Sequence, residues 1–150
     1  MTSGVIPLME CRLIISAQIV NKLGTHSVAL NTSGRESILE IAPKPDGLGS
    51  SVNGGELLFL ALATCYCNDL YREAKKRGIE IEQVQVEVSG EFGGEGEAAR
   101  NVSYRAQVEA RAPREQVLDL MRHTDSVAEI QNTLRQSSPV VLTHCEAVEI

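Results

Sequence analysis

The sequence has no tryptophan, and its three tyrosines and two phenylalanines bring the aromatic share to only 3%. Base-stacking platforms for single-stranded nucleic acid are therefore scarce. Positive charge is also short: 14 basic against 20 acidic residues leave a net charge of −6 and a pI near 5.1. A phosphate-neutralising surface needs the opposite balance, so nucleic acid is not an expected partner. The longest largely apolar stretch, Leu57 to Cys67, falls short of the roughly 20 residues of a membrane helix, so no membrane partner is expected either. Met1 to Val20 has no basic residue ahead of its first apolar patch and carries Glu10 and Arg12, unlike a secretory signal. The four cysteines, at 11, 65, 67 and 145, lack the dense spacing of a small disulfide scaffold. Together these absences point to a cytoplasmic protein with free thiols.

What is present suits one globular domain spanning residues 1–150, since 43% of the residues are hydrophobic and no internal repeat or low-complexity tract interrupts them. Cys11–Val20, His26–Leu30 and Glu36–Ile41 read as strands, parted by turns at Lys22-Leu23-Gly24 and Asn31-Thr32-Ser33-Gly34. A loop dense in Pro and Gly follows, from Pro43 to Ser51. Asn53 to Arg77 predicts a long helix, with Asn53 as cap and Gly78 as stop. Its first three turns are apolar all round, which demands cover on every side and makes a dimer attractive. Ile79–Val88 and Asn101–Arg111 alternate as strands, the first with a phase shift at Gln83 that marks a bulge, and Gly90–Gly96 makes a hairpin loop between them. Pro113–Arg122 predicts a helix opened by its proline. Ser126 and Glu129 have capping-box spacing for a second, ending near Leu134. Pro139–Ile150 alternates as a last strand. Segregated runs of strands and helices argue for an α+β fold with antiparallel sheet.

Chemistry centres on Cys65 and Cys67. Their side chains diverge by about 200° on a helix, which disfavours a mutual disulfide or a shared metal ion. His26, His123 and His144 are dispersed along the chain. A nucleophilic thiol works as thiolate and needs positive potential. Cys65 lies too far beyond the helix start for the dipole to supply it, so a cation must come from elsewhere in the fold. A buried, inert cysteine is the commoner case. The glycines of Gly47–Ser51 and Gly93–Gly96 lack the strand and Lys-Ser/Thr context of a phosphate loop. No cofactor or metal is expected.

The segment Asn53-Gly54-Gly55-Glu56-Leu57-Leu58-Phe59-Leu60-Ala61-Leu62-Ala63-Thr64-Cys65 resembles the central-helix motif of the OsmC/Ohr family. Lys75–Ile81 resembles the family's exit from that helix into a strand, and Ala128–Leu134 its C-P-hydrophobic-x-x-T-L motif. The resemblance implies an intertwined homodimer in which antiparallel sheets wrap long central helices. It also implies thiol-dependent reduction of hydroperoxides: a peroxidatic cysteine becomes a sulfenic acid, a second cysteine condenses with it, and a dithiol restores the pair.

Residue by residue, Cys65 falls on the peroxidatic position, while the acidic partner falls on Gly55 and the second cysteine on Ala128. Arg35, after Gly34, resembles the arginine of the family's G-G-R segment and is the candidate cation. The expectation is a hydroperoxide-related thiol protein using Cys65, with activity weak, of one-cysteine type or lost, and with an external thiol as reductant. The alternative is a non-catalytic dimer that holds a small apolar or acyl ligand at its interface, beside Leu58, Ala61 and Leu62.

Overall fold

A computed structural model describes residues 12–150; Cys11, the expected start of the first strand, lies outside the described residues. The chain divides at Gly54 and Gly55 into two compact units.

The first unit is an antiparallel meander of β1 (Ile15–Lys22), β2 (Thr25–Thr32) and β3 (Arg35–Ser37). Residues i and i+2 share a face, and the pairings Ile15 with Thr32, Ala17 with Leu30 and Ile19 with Val28 gather the aliphatic side chains on one side. The β2–β3 turn has Ser33 and Gly34 both at positive φ, 48° and 87°, with Asn31 Oδ1 accepting from the Gly34 N–H at 2.8 Å. Such a pair matches the twist of a tight hairpin. β3 is shorter than the Glu36–Ile41 expected. Its continuation leaves the ladder for the Pro-Gly loop, which is closed by a Pro43–Ser50 bridge and by Gly24 N–H donating to Gly47 O at 3.0 Å.

The second unit opens with α1 (Gly54–Lys76), as the helix formers of this stretch predict. Glu56 in its first turn and Lys75 and Lys76 in its last complement the dipole. Gly78, at φ 67°, ends it with a paired bond set: Ile79 N–H donates to Ala74 O at 3.0 Å and Gly78 N–H to Lys75 O at 3.3 Å. That is the Schellman arrangement, which needs a left-handed residue here. Burial follows one stripe, Leu62, Tyr66, Asp69, Leu70, Glu73 and Ala74, at spacings of three and four. The all-round burial expected of the first turns is not reached within this chain; Leu60 stays 55% exposed.

β4 (Glu80–Glu91) and β5 (Arg100–Arg111) form a two-stranded antiparallel sheet. The register shift between Ile81 and Gln83 is the bulge foreseen from the alternation, and it lets Ile81 and Val84, three residues apart, both pack on the core. That core joins Tyr66, Leu70 and Ala74 of α1 to Leu120 of α2 (Arg114–Val127). The Tyr66 and Tyr104 rings meet edge to face at 5.0 Å.

α2 continues five residues past the expected Arg122, with Pro113 as its cap rather than its first residue. α3 (Glu129–Arg135) follows after the single extended residue Ala128. The expected Ser126–Glu129 capping box does not form. Ser126 is still helical, and its hydroxyl donates back to His123 O at 2.6 Å. Residues 138–150 take no regular structure, so the expected final strand is absent. Alternation makes a strand only where a neighbouring edge supplies hydrogen bonds. No helix among the described residues is long and apolar enough to cross a membrane.

Candidate functional site

Cys65 sits midway along α1, half-buried and unpaired with another cysteine. Asp69, one turn further on the same face, is buried at 5% exposure, and the thiol donates to its Oδ2 at 3.6 Å. Glu129, the first residue of α3, brings Oε2 to 3.8 Å from the same sulfur. The Ile130 N–H also points at the sulfur. Arg72, the next residue along this helix face, braces both carboxylates through Nη1, at 2.8 Å from Asp69 Oδ1 and 3.3 Å from Glu129 Oε1.

Two further contacts set α3 at this distance. The buried Gln131 donates through Nε2 to Leu62 O at 3.0 Å, tying α3 to α1. Arg135 pairs with Asp125 at 2.7 Å, and Asp125 also accepts from the Tyr104 hydroxyl, tying α3 to α2 and β5. Beyond Arg72 lies Glu73, buried and held by Arg72 Nε at 3.0 Å, Lys76 at 2.8 Å and His123 at 3.2 Å.

The electrostatics oppose a ready-made thiolate. Burial pushes the Cys65 thiol up, the charges of Asp69 and Glu129 push the same way, and only the Ile130 N–H pulls it down. Asp69 is pushed up to about 6 by burial and by its contact with Glu129, against the pull of Arg72. For Glu129 burial acts upward, but its hydrogen bonds and Arg72 outweigh it and hold the carboxyl below its usual range. Of the pair, Asp69 is the one that takes up a proton first as pH falls. The Cys65 sulfur and one carboxylate oxygen from each of Asp69 and Glu129 lie within 4.8 Å of one another, a spacing one cation can bridge, although Arg72 already delivers positive charge to both carboxylates.

Of the residues singled out in the sequence, Cys65 is at the centre of this cluster. Gly55 lies in the first turn of α1, and Ala128, fully buried, directly precedes Glu129. Arg35 opens β3 in the first unit, opposite Thr32. Cys67 is half-buried and free, and Cys145 is exposed and free. Asp69, Arg72 and Glu129 were missed. The Cys65–Asp69–Arg72 spacing of four and three was readable as one helix face. The alignment of Ala128 with a family site cysteine also brought residue 129 to the neighbourhood.

A separate cavity of about 560 Å³ is lined by Leu58, Leu62, Val102, Tyr104, Gln131 and Leu134, among others. Gln131 Oε1 is itself sealed from solvent and has no hydrogen-bond partner among the described residues.

The sequence profile of the family described as OsmC-like protein matches residues 47–143. Among solved structures, the fold resembles the OsmC-like protein from Mycoplasma pneumoniae, at 18% identity over 85% of this chain and 89% of that one, with a TM-score of 0.56. It also resembles an OsmC-like protein of unknown function from Vibrio cholerae, at 17% identity over 80% and 92% of the chains, TM-score 0.56. An OsmC-like hydroperoxide resistance protein from Jannaschia aligns over 91% and 93% at 13% identity, TM-score 0.50. No curated protein matches the sequence.

Proposed function

The chain belongs to the OsmC-like family, and from that premise we propose that it reduces hydroperoxides through Cys65 as a one-cysteine thiol peroxidase. The observation that carries this reading is the free Cys65 sulfur within 3.6 and 3.8 Å of two carboxylates able to exchange its proton. Cys65 Sγ attacks the terminal peroxide oxygen, an S–O bond forms, the O–O bond breaks, and an alcohol leaves. The sulfur is oxidised by two electrons to a sulfenic acid. Ala128 offers no thiol to condense with it, so an external thiol resolves the sulfenic acid with loss of water, and a second releases the mixed disulfide. Arg35, carried by its likeness to the family's G-G-R segment, is the proposed source of positive potential. The raised thiol keeps the thiolate fraction small at neutral pH, so the reaction gains in alkali and depends on the adjoining carboxylates to take the thiol proton.

Stopped-flow mixing of the reduced protein with cumene hydroperoxide tests this. Loss of the Cys65 thiol is expected well above the rate of free cysteine, with one oxygen added by mass and with Cys65→Ser inert. A rate no faster than free cysteine overturns it.

The cavity beside Leu58 and Leu62, lined mainly by apolar side chains, favours a second reading: a carrier of a small apolar ligand. On that reading Cys65→Ser leaves the affinity unchanged, and native mass spectrometry of gently purified protein shows a co-purified molecule.

A further inference from the structure

The position that aligns with the family's acidic partner is Gly55, which has no side chain to offer, yet two carboxyl groups reach Cys65 from other places. Arg72 Nη1 engages Oδ1 of Asp69 and Oε1 of Glu129, which leaves Oδ2 and Oε2 turned to the sulfur, at 3.6 and 3.8 Å. Of the two, Asp69 is shut away from water, whereas the Glu129 side chain is 64% exposed. A proton on Asp69 is thus kept beside the sulfur rather than traded with bulk solvent.

We infer that Asp69 is the catalytic proton carrier of Cys65, taking the thiol proton on Oδ2 and returning it to the alkoxide set free when the peroxide bond breaks, while Glu129 and Arg72 hold it in place. The inference rests on the hydroperoxide reading above and deepens it. The thiol proton moves from Sγ to Oδ2, and the thiolate lone pair forms the S–O bond. The O–O electron pair leaves on the alkoxide, which Oδ2 protonates. The balance is one thiol and one hydroperoxide giving one sulfenic acid and one alcohol, with Asp69 unchanged. Groups facing Asp69 are Cys65 and Arg72 on its own helix and Glu129 on α3; Glu73, with Lys76 and His123, lies beyond Arg72. A carboxyl titrating at about 6 is suited to both halves of the transfer near neutrality.

The experiment uses full-length chain in which Cys11, Cys67 and Cys145 are serine, so that Cys65 is the one thiol. Asp69→Asn removes a negative charge beside the sulfur, so alkylation by iodoacetamide at pH 7 is expected to speed up. The same substitution removes the proton donor, so oxidation by cumene hydroperoxide is expected to slow by roughly a hundredfold. A purely electrostatic role moves both rates upward together, and that result overturns the inference while leaving the hydroperoxide reading intact. A parent protein that reacts no faster than free cysteine overturns the reading itself, and the inference with it. If Asp69→Asn fails to fold, Glu129→Gln, on an exposed side chain, serves instead. The lower inflection of its pH–rate profile is expected to fall from about 6 toward the ordinary carboxyl value of 3.8. An unmoved profile overturns the inference.

Discussion

At Glu73 a buried carboxylate meets a guanidinium, an ammonium and an imidazole contributed by α1 and α2. Bonds from Lys76, then Arg72, hold this carboxyl at about 2 against an ordinary 4.5. A carboxyl depressed by folding contributes stability that is whole above 4.5 and is lost as pH falls toward 2. Glu73→Gln is expected to lower Tm at neutral pH and to flatten the fall of Tm across that acid window, as thermal scans between pH 7 and 2 will register. Asp69 runs the other way: raised to about 6, it contributes stability below 3.8 that is lost as pH climbs through 6. The two carboxylates lie on one helix, four residues apart, and burial alone does not separate them. The difference is their neighbours, a second carboxylate beside Asp69 and a guanidinium, an ammonium and an imidazole around Glu73. Of this, the sequence disclosed the residue types and their helical spacing, whereas the contacts of Glu129 and His123 span 64 and 50 residues of chain and depend on packing.

Elements were more legible than side-chain environments because their signals are local. The apolar run and closing Gly78 located α1 to within a residue at each end, and the broken alternation near Gln83 marked the β4 bulge. Gly78 has open space around a would-be Cβ, so Gly78→Ala meets only backbone strain at its φ of 67°. A loss of about 1 kcal/mol by urea denaturation is expected. Local reading failed where two local signals competed or where a partner was needed. Ser126 offered a cap, but α2 carried on through it and the chain turned at Ala128 instead. Residues 139–150 carry a strand's alternation, yet nothing in their own sequence supplies an edge to pair with.

At the scale of the whole molecule, aliphatic surface exceeds what a lone chain covers. Ile15 and Ile19 on β1, Leu60 on α1 and the Val140–Leu142 run are all largely exposed. Surface of this kind marks association sites. A homodimer is the expected state, with sedimentation equilibrium returning twice 16.3 kDa. Leu60→Lys is expected to shift it toward monomer at micromolar concentration, and an unchanged monomeric mass for the parent chain contradicts that expectation.

The order of elements from β1 to α3, the family and the thiol on the long helix follow from the sequence by itself, because periodicity, turn residues and a short motif are properties of neighbouring positions. Tertiary structure alone decided what surrounds that thiol. It placed two carboxylates against the sulfur and a guanidinium behind them, since charge acts through space and α3 meets α1 only where the folded chain ties Gln131 to Leu62.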